Sequence, residues 1–357
     1  MKNKKKWIGT AGVATIAGLL LMGAGYAMGG RPGFYVNQTG LHTANVKSSG
    51  KESYVLEKQE VEAFTELDIA ADYANLSILP SDGYYLEYEL DGNEPEPEYR
   101  VENGKLSFRE GSVSRKGGFQ FFTFGVGWDS SSEENFFVNV YVPEEVYLEA
   151  VKIQSESGNV AFEELACRKL EASLEYGNLT FDRFQGEELK LAVDSGNLTY
   201  EEIEADTVSV EMDYGNMTGE TLKGDDLEVS LESGNFKAET VTDEKGESSL
   251  ELACSYGNVT IGVLETAENV IEMESGELTV GEAEVRKMKV TDEYGSVKIG
   301  LRDGQEAYEF ELEAEYGVIK TPAYSWSRDE GKVLINEGKE KKIQISCESG
   351  NITITDV

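Results

Sequence analysis

Residues 154–357 lack the pattern an α-helical domain needs, apolar side chains recurring at spacings of three and four. Among its 357 residues the chain holds only six prolines, three cysteines and one histidine, and its 32 lysines and arginines are outnumbered by 68 acids. Each shortage closes a class of function. A net charge of −36 repels phosphate backbones, since nucleic-acid binding depends on basic side chains neutralising phosphates; no nucleic-acid partner is expected. Three cysteines cannot all pair with one another, and Cys167, Cys254 and Cys347 show no zinc-ligand spacing. A nucleophile–histidine–acid set could draw only on His42. No P-loop, dinucleotide fingerprint or HExxH pattern occurs. The expectation is a non-enzyme with no catalytic residue and no cofactor.

What is present begins with a membrane signal. Lys2, Lys4, Lys5 and Lys6 precede an uncharged run from Trp7 to Gly30, and Arg31 ends it. A helix of that length covers about 36 Å, enough for a hydrocarbon core of about 30 Å. The positive flank stays in the cytoplasm, which places everything after Arg31 outside. Residues 1–30 are read as a single-pass anchor touching the membrane through 7–30; cleavage as a signal peptide after Ala27 is the alternative. No cysteine follows the run to serve as a lipoprotein anchor. Residues 31–53, rich in Gly, Ser, Thr and Asn, read as a tether.

The rest of the chain beats in units of nineteen. Gly158, Gly177, Gly196, Gly215 and Gly234 are evenly spaced, as are Gly257, Gly276 and Gly295; longer gaps before Gly257, Gly317 and Gly350 read as insertions. Apolar residues stand seven, five and three places before each glycine, as in Leu189, Leu191 and Val193. They return two, four and often seven places after it, as in Leu198, Tyr200 and Ile203. Spacing by two is strand periodicity, with alternate side chains turned inward. No unit can bury its apolar face alone, so units must stack. The fold class expected is all-β: a single-stranded β-solenoid, or β-helix, of 19-residue repeats preceded by one transmembrane helix. Residues 154–357 are its regular part, and 54–153 are irregular first coils with a cap. Within it Cys254 and Cys347 fall on inward positions, as small core residues.

Glycine frees the corner from a Cβ, and the Asn that follows it in Asn159, Asn178, Asn197, Asn216, Asn235, Asn258 and Asn351 can hydrogen-bond its copy one coil away. Triplets such as Asn178-Leu179-Thr180 match a glycosylation acceptor, but an outward Thr on a strand explains them as well. Before the glycine, Ser157, Tyr176, Ser195, Tyr214, Ser233, Tyr256, Ser275 and Tyr294 alternate. Tyr stacking on Tyr favours a coil of two units, one edge lined by Tyr and the other by Ser. Two places before the glycine stands an acid in every unit but the one with Ser255. Glu175, Asp194, Asp213 and Glu232 form a candidate cation ladder, although their spacing matches no known calcium loop and exposure at a corner accounts for them.

Candidate contact residues are Tyr176, Tyr214, Tyr256 and Tyr294 on the corners, and Phe121, Phe122, Phe124 and Trp128 within the loop 111–135, which carries Gly and Ser on either side. The sequence stops at Val357 directly after a strand, and an uncovered last coil would invite end-to-end self-association.

The phrase "VNVYVPEEVYLEAVKIQSESGNV", its serial S/Y-G-N units and the lead-in "LDIAADYANLSILPSDGYYLEYELDG" resemble the candidate-adhesin β-strand-repeat family of bacterial envelope proteins, over roughly residues 60–357. The resemblance implies a β-helical fold at the cell envelope, brings no catalytic residues, and names domains whose function is not established. The function expected is therefore a non-catalytic, membrane-anchored surface module for adhesion, scaffolding or envelope contact. The alternative is a carbohydrate-binding or polysaccharide-acting protein, for which Asp292 and Trp326 are the departures from the repeat to inspect.

Overall fold

The computed structural model describes residues 34–37, 40–43, 52–92, 94–111, 136–243, 245–327 and 331–357. The anchor 1–30 and the loop aromatics Phe121, Phe122, Phe124 and Trp128 lie outside them. Among the described residues no helix is long and apolar enough to cross a membrane. Two compact units are present. In the smaller, strands Phe34–Asn37 and Gly40–Thr43 pair antiparallel, Tyr35 opposite His42. The segment read as a tether thus contains two paired strands, "FYVN" and "GLHT".

The larger unit is one 24-stranded sheet wound on itself. Strands Val160–Tyr176, Leu179–Ser195 and Leu198–Tyr214 lie side by side in parallel, with Val160 against Leu179 and Leu179 against Leu198. The register advances by nineteen residues from rung to rung, so one unit makes one complete coil. This corrects the two-unit coil: Tyr176 pairs with Ser195, and Ser195 with Tyr214. The column demanded by like-on-like stacking exists indoors instead. The rings of Phe162 and Phe181 stack at 4.6 Å and 7°, Tyr200 follows at 6.1 Å, and beyond it Gly219 leaves its Cβ space to the Tyr200 ring. Aromatic faces gain more from a neighbour in a dry interior than at a wet corner.

The inward positions read from the sequence form the core: Leu170, Ala172, Leu174, Leu179, Phe181 and Phe184 in one unit are all buried. All three cysteines are free and buried, and burial pushes their thiols up, to about 11 for Cys254 and about 12 for Cys167 and Cys347.

At both ends the order of coils in space departs from the order in the chain. The last coil, Lys341–Ser349 and Ile352–Asp356, does not close the stack. It is inserted between Lys287–Leu301 on one side and Tyr308–Tyr316 with Val318–Lys320 on the other. The outermost strands, Gly331–Ile335 and Ser325–Ser327, run back antiparallel from the long insertion. At the other end Glu66–Ala71 and Asn75–Ser81 are the first coil in sequence but sit second in space. On one face Leu148–Ser155 and the start of Val160–Tyr176 cover them; Lys105–Arg109 and Phe137–Pro143 cover the other. Antiparallel Glu98–Glu102 and Tyr85–Leu90 then cover that outer pair. The uncovered last coil expected from Val357 is therefore corrected: Ile352–Asp356 lies inside the stack, paired along one edge with Val297–Leu301 and on the other, at Ile352 and Thr353, with Val318–Lys320.

Candidate functional site

One corner of the solenoid gathers the repeated glycine, asparagine, acid and serine–tyrosine positions. Its glycines stack carbonyl over Cα: a Cβ on Gly215 would lie 1.7 Å from the Gly196 oxygen, and one on Gly234 would lie 1.6 Å from that of Gly215. Gly215 and Gly234 also hold φ near +150°. No other residue fits at those two positions. Beside them the asparagines form a continuous ladder. Asn178 Nδ2 and its backbone N–H both donate to Asn159 Oδ1, at 3.0 and 2.9 Å. The pattern repeats through Asn197, Asn216, Asn235 and Asn258 and begins at Asn75. At the first rung Glu110, itself buried, closes the corner: its Oε2 accepts from the backbone N–H groups of Asp72, Tyr73 and Ala74. The chain leaves this corner at Gly111 and returns at Phe136, whose carbonyl accepts from Asn75 N–H.

The residues before the glycines make an outward edge. Tyr176, Tyr214, Tyr256 and Tyr294 are each 60–62% exposed, and Tyr73 and Tyr316 are similarly open. The structure adds these last two to the column that the sequence pointed to. Ser157 N–H donates to the Asp72 carbonyl, which sets Tyr73 next to Ser157, and Ser349 pairs with both Tyr294 and Tyr316. In space the column reads Tyr73, Ser157, Tyr176, Ser195, Tyr214, Ser233, Tyr256, Ser275, Tyr294, Ser349, Tyr316. The alternation is strict, although in the chain Tyr316 precedes Ser349. The available signal was that very break: Tyr294 and Tyr316 stand consecutively in sequence, and only exchanging the last two coils restores the pattern.

The proposed cation ladder is real as a column and absent as a cluster. Glu175, Asp194, Asp213 and Glu232 occupy successive rungs, and among the described residues no three Asp, Glu, His or Cys converge to hold a metal ion. Asp292 is not half of a catalytic pair. It is fully buried between Met273 and Cys347, and neither carboxylate oxygen has a hydrogen-bond partner. Burial raises its carboxyl to about 6. Trp326 lies in the outer strand Ser325–Ser327.

A polar depression of about 840 Å³ near the other end is lined by Tyr88, Tyr99, Arg100 and Lys105, with Glu66, Glu96, Glu98 and Glu102 beside them. Asp68 holds Lys105 at 2.7 Å and Arg109 at 2.8 Å. Burial alone would raise the Asp68 carboxyl; the two cations outweigh it and leave the group below its usual range.

These features define an all-β, solenoid-like repeat protein with an exposed aromatic and amide edge. The chain belongs to the Toastrack DUF4097 family, whose model matches residues 64–261 and again 187–355. No curated protein matches it. Similar solved structures include a candidate cell adhesion protein from Clostridium sporogenes (12% identity, covering 86% of this chain and 98% of that one, TM-score 0.26). A candidate lipid binding protein from Parabacteroides distasonis (12%, 87% and 98%, TM-score 0.39) and a candidate adhesin from Bacteroides fragilis (12%, 86% and 98%, TM-score 0.30) are also similar. Likeness at that level carries no argument about what this chain binds.

Proposed function

We propose that the protein is a non-catalytic, adhesin-like module held at the membrane by residues 7–30, with its solenoid outside the cytoplasm. The observation that carries this reading is the corner edge itself. The repeat spends its regularity on an exposed line of tyrosines, and Asp292, the acid that departs from it, is buried in the core and not set in a cleft. The lysines before the apolar run support the orientation, and the −36 charge suits a surface kept clear of anionic headgroups. A solenoid gives such a module a long, rigid face on which one contact can recur many times.

Native thiols make the test clean, because all three are buried. The variant Thr180→Cys places a thiol on the exposed corner beside the Asn ladder. Intact cells carrying the full chain are treated with a membrane-impermeant maleimide, and the membrane pellet is washed with carbonate. Labelled protein retained in the pellet is the expected result. Labelling only after lysis, or a labelled protein released without its first residues, would overturn the anchored, outward orientation.

A further inference from the structure

Resting on the reading of this edge as the contact surface, we propose that Tyr73, Tyr176, Tyr214, Tyr256, Tyr294 and Tyr316 form a binding track for a linear β-linked glycan, neutral or bearing amino groups. Rungs lie about 4.8 Å apart, so tyrosines on alternate rungs recur about every 9.6 Å. A pyranose advances a glycan by roughly 5 Å, a few covalent bonds of about 1.5 Å in projection. A β-1,4-linked ribbon shows the same ring face at every second sugar, which is a repeat of roughly 10 Å on the same estimate. Each tyrosine can then lie under an equivalent sugar, its face against the ring's C–H groups.

Packing does not force the gaps between tyrosines. Phe162 and Phe181 stack on adjacent rungs in this same protein, and asparagine recurs without a gap from Asn159 to Asn258. Even carboxylates stand on adjacent rungs at this corner, Glu175 beside Asp194 and Asp194 beside Asp213. Serine on every second rung is thus a choice of spacing, and it survives the exchange of the two last coils. The flanking chemistry is that of hydroxyl recognition. The ladder consumes one of the two Nδ2 hydrogens of each asparagine, and exposed Thr180, Thr199 and Thr218 follow on the strand. The carboxylates accept from hydroxyl or ammonium groups and repel anionic polymers. A partner matched to so regular a line must itself be regular. A basic polyproline II segment repeats every three residues, about 9.3 Å, and is the rival with a comparable period.

The full chain in detergent micelles is titrated calorimetrically with hexamers of β-1,4-linked N-acetylglucosamine, its de-acetylated form, α-linked glucose, a hyaluronan fragment and a (Lys-Pro-Pro) repeat peptide. The β-linked sugars should bind. The α-linked and anionic sugars should bind at least tenfold more weakly, and Tyr214→Ser with Tyr256→Ser should cost at least tenfold. Those serines copy the residues on intervening rungs, so an unchanged melting temperature shows the fold intact, and Tyr214→Phe with Tyr256→Phe should retain most of the affinity. Absence of glycan binding by the unaltered chain, equal binding by the double serine variant, or tighter binding of the peptide each overturns the proposal. If the track fails while Thr180→Cys still labels from outside, the surface-module reading stands alone.

Discussion

The middle of this molecule and its two ends follow different rules. From Leu148 to Leu301 each coil lies on its predecessor in the chain, and the parallel register is broken only by a slip between Val280 and Ala283. At the ends the first and last coils are tucked inward, and segments from within the chain, folded antiparallel, take the rim. A solenoid's middle needs only a repeating sequence, because each coil meets a copy of itself. Its ends face water with unpaired backbone groups, so they require an arrangement the repeat cannot supply.

Removing residues 341–357 attacks that difference most directly. It strips a rung that pairs on both sides, and should cost more than about 4 kcal/mol and leave the end prone to association, read by denaturant melts and size-exclusion chromatography. Second, Gly215→Ala in the middle drives a Cβ into the Gly196 carbonyl and should cost about 3 kcal/mol or more. Gly104→Ala near an end, where the nearest atom would be Thr65 Oγ1 at 3.8 Å, should cost only about 1 kcal/mol, for its φ of +75°.

Third, Asp292 marks where the regular core meets the inserted last coil. Its carboxyl moves from 3.8 to about 6 on folding, so the folded state favours the protonated form. The associated stability is full below the unfolded value of 3.8 and is lost as pH rises through about 6. Asp292→Asn should match the wild type in acid and exceed it near neutrality by about 2 to 3 kcal/mol, in melts run across that range. Fourth comes the ladder. Asn216→Ala loses bonds to Asn197 and from Asn235, and should cost about 1 to 2 kcal/mol.

The sequence made the interior legible because burial in a strand leaves a period of two. Leu189, Leu191 and Val193 declare their face without help, and the glycine–asparagine pair declares the corner. What it concealed was neighbourhood. Tyr176 carries no mark of whether serine or tyrosine lies beside it until the register is known. The stacking argument that suggested a coil of two units suits dry rings such as Phe162, not a wet corner. The rim was hidden for a different reason: Ser325–Ser327 and Gly331–Ile335 are strands only because the coil before them offers an edge, a property of their partner. Asp292 was visible as an acid at an inward position, while its isolation between Met273 and Cys347 depends on which coil comes next in space.

Because tyrosine and serine alternate strictly along the edge, the protein can change length without losing its pattern only by whole pairs of turns. A duplication or loss of one turn would bring two rings, or two serines, side by side at the seam. Gain or loss of two leaves every neighbour relation intact. The inheritable module is thus twice the structural one, and relatives that differ in length should differ by even numbers of coils.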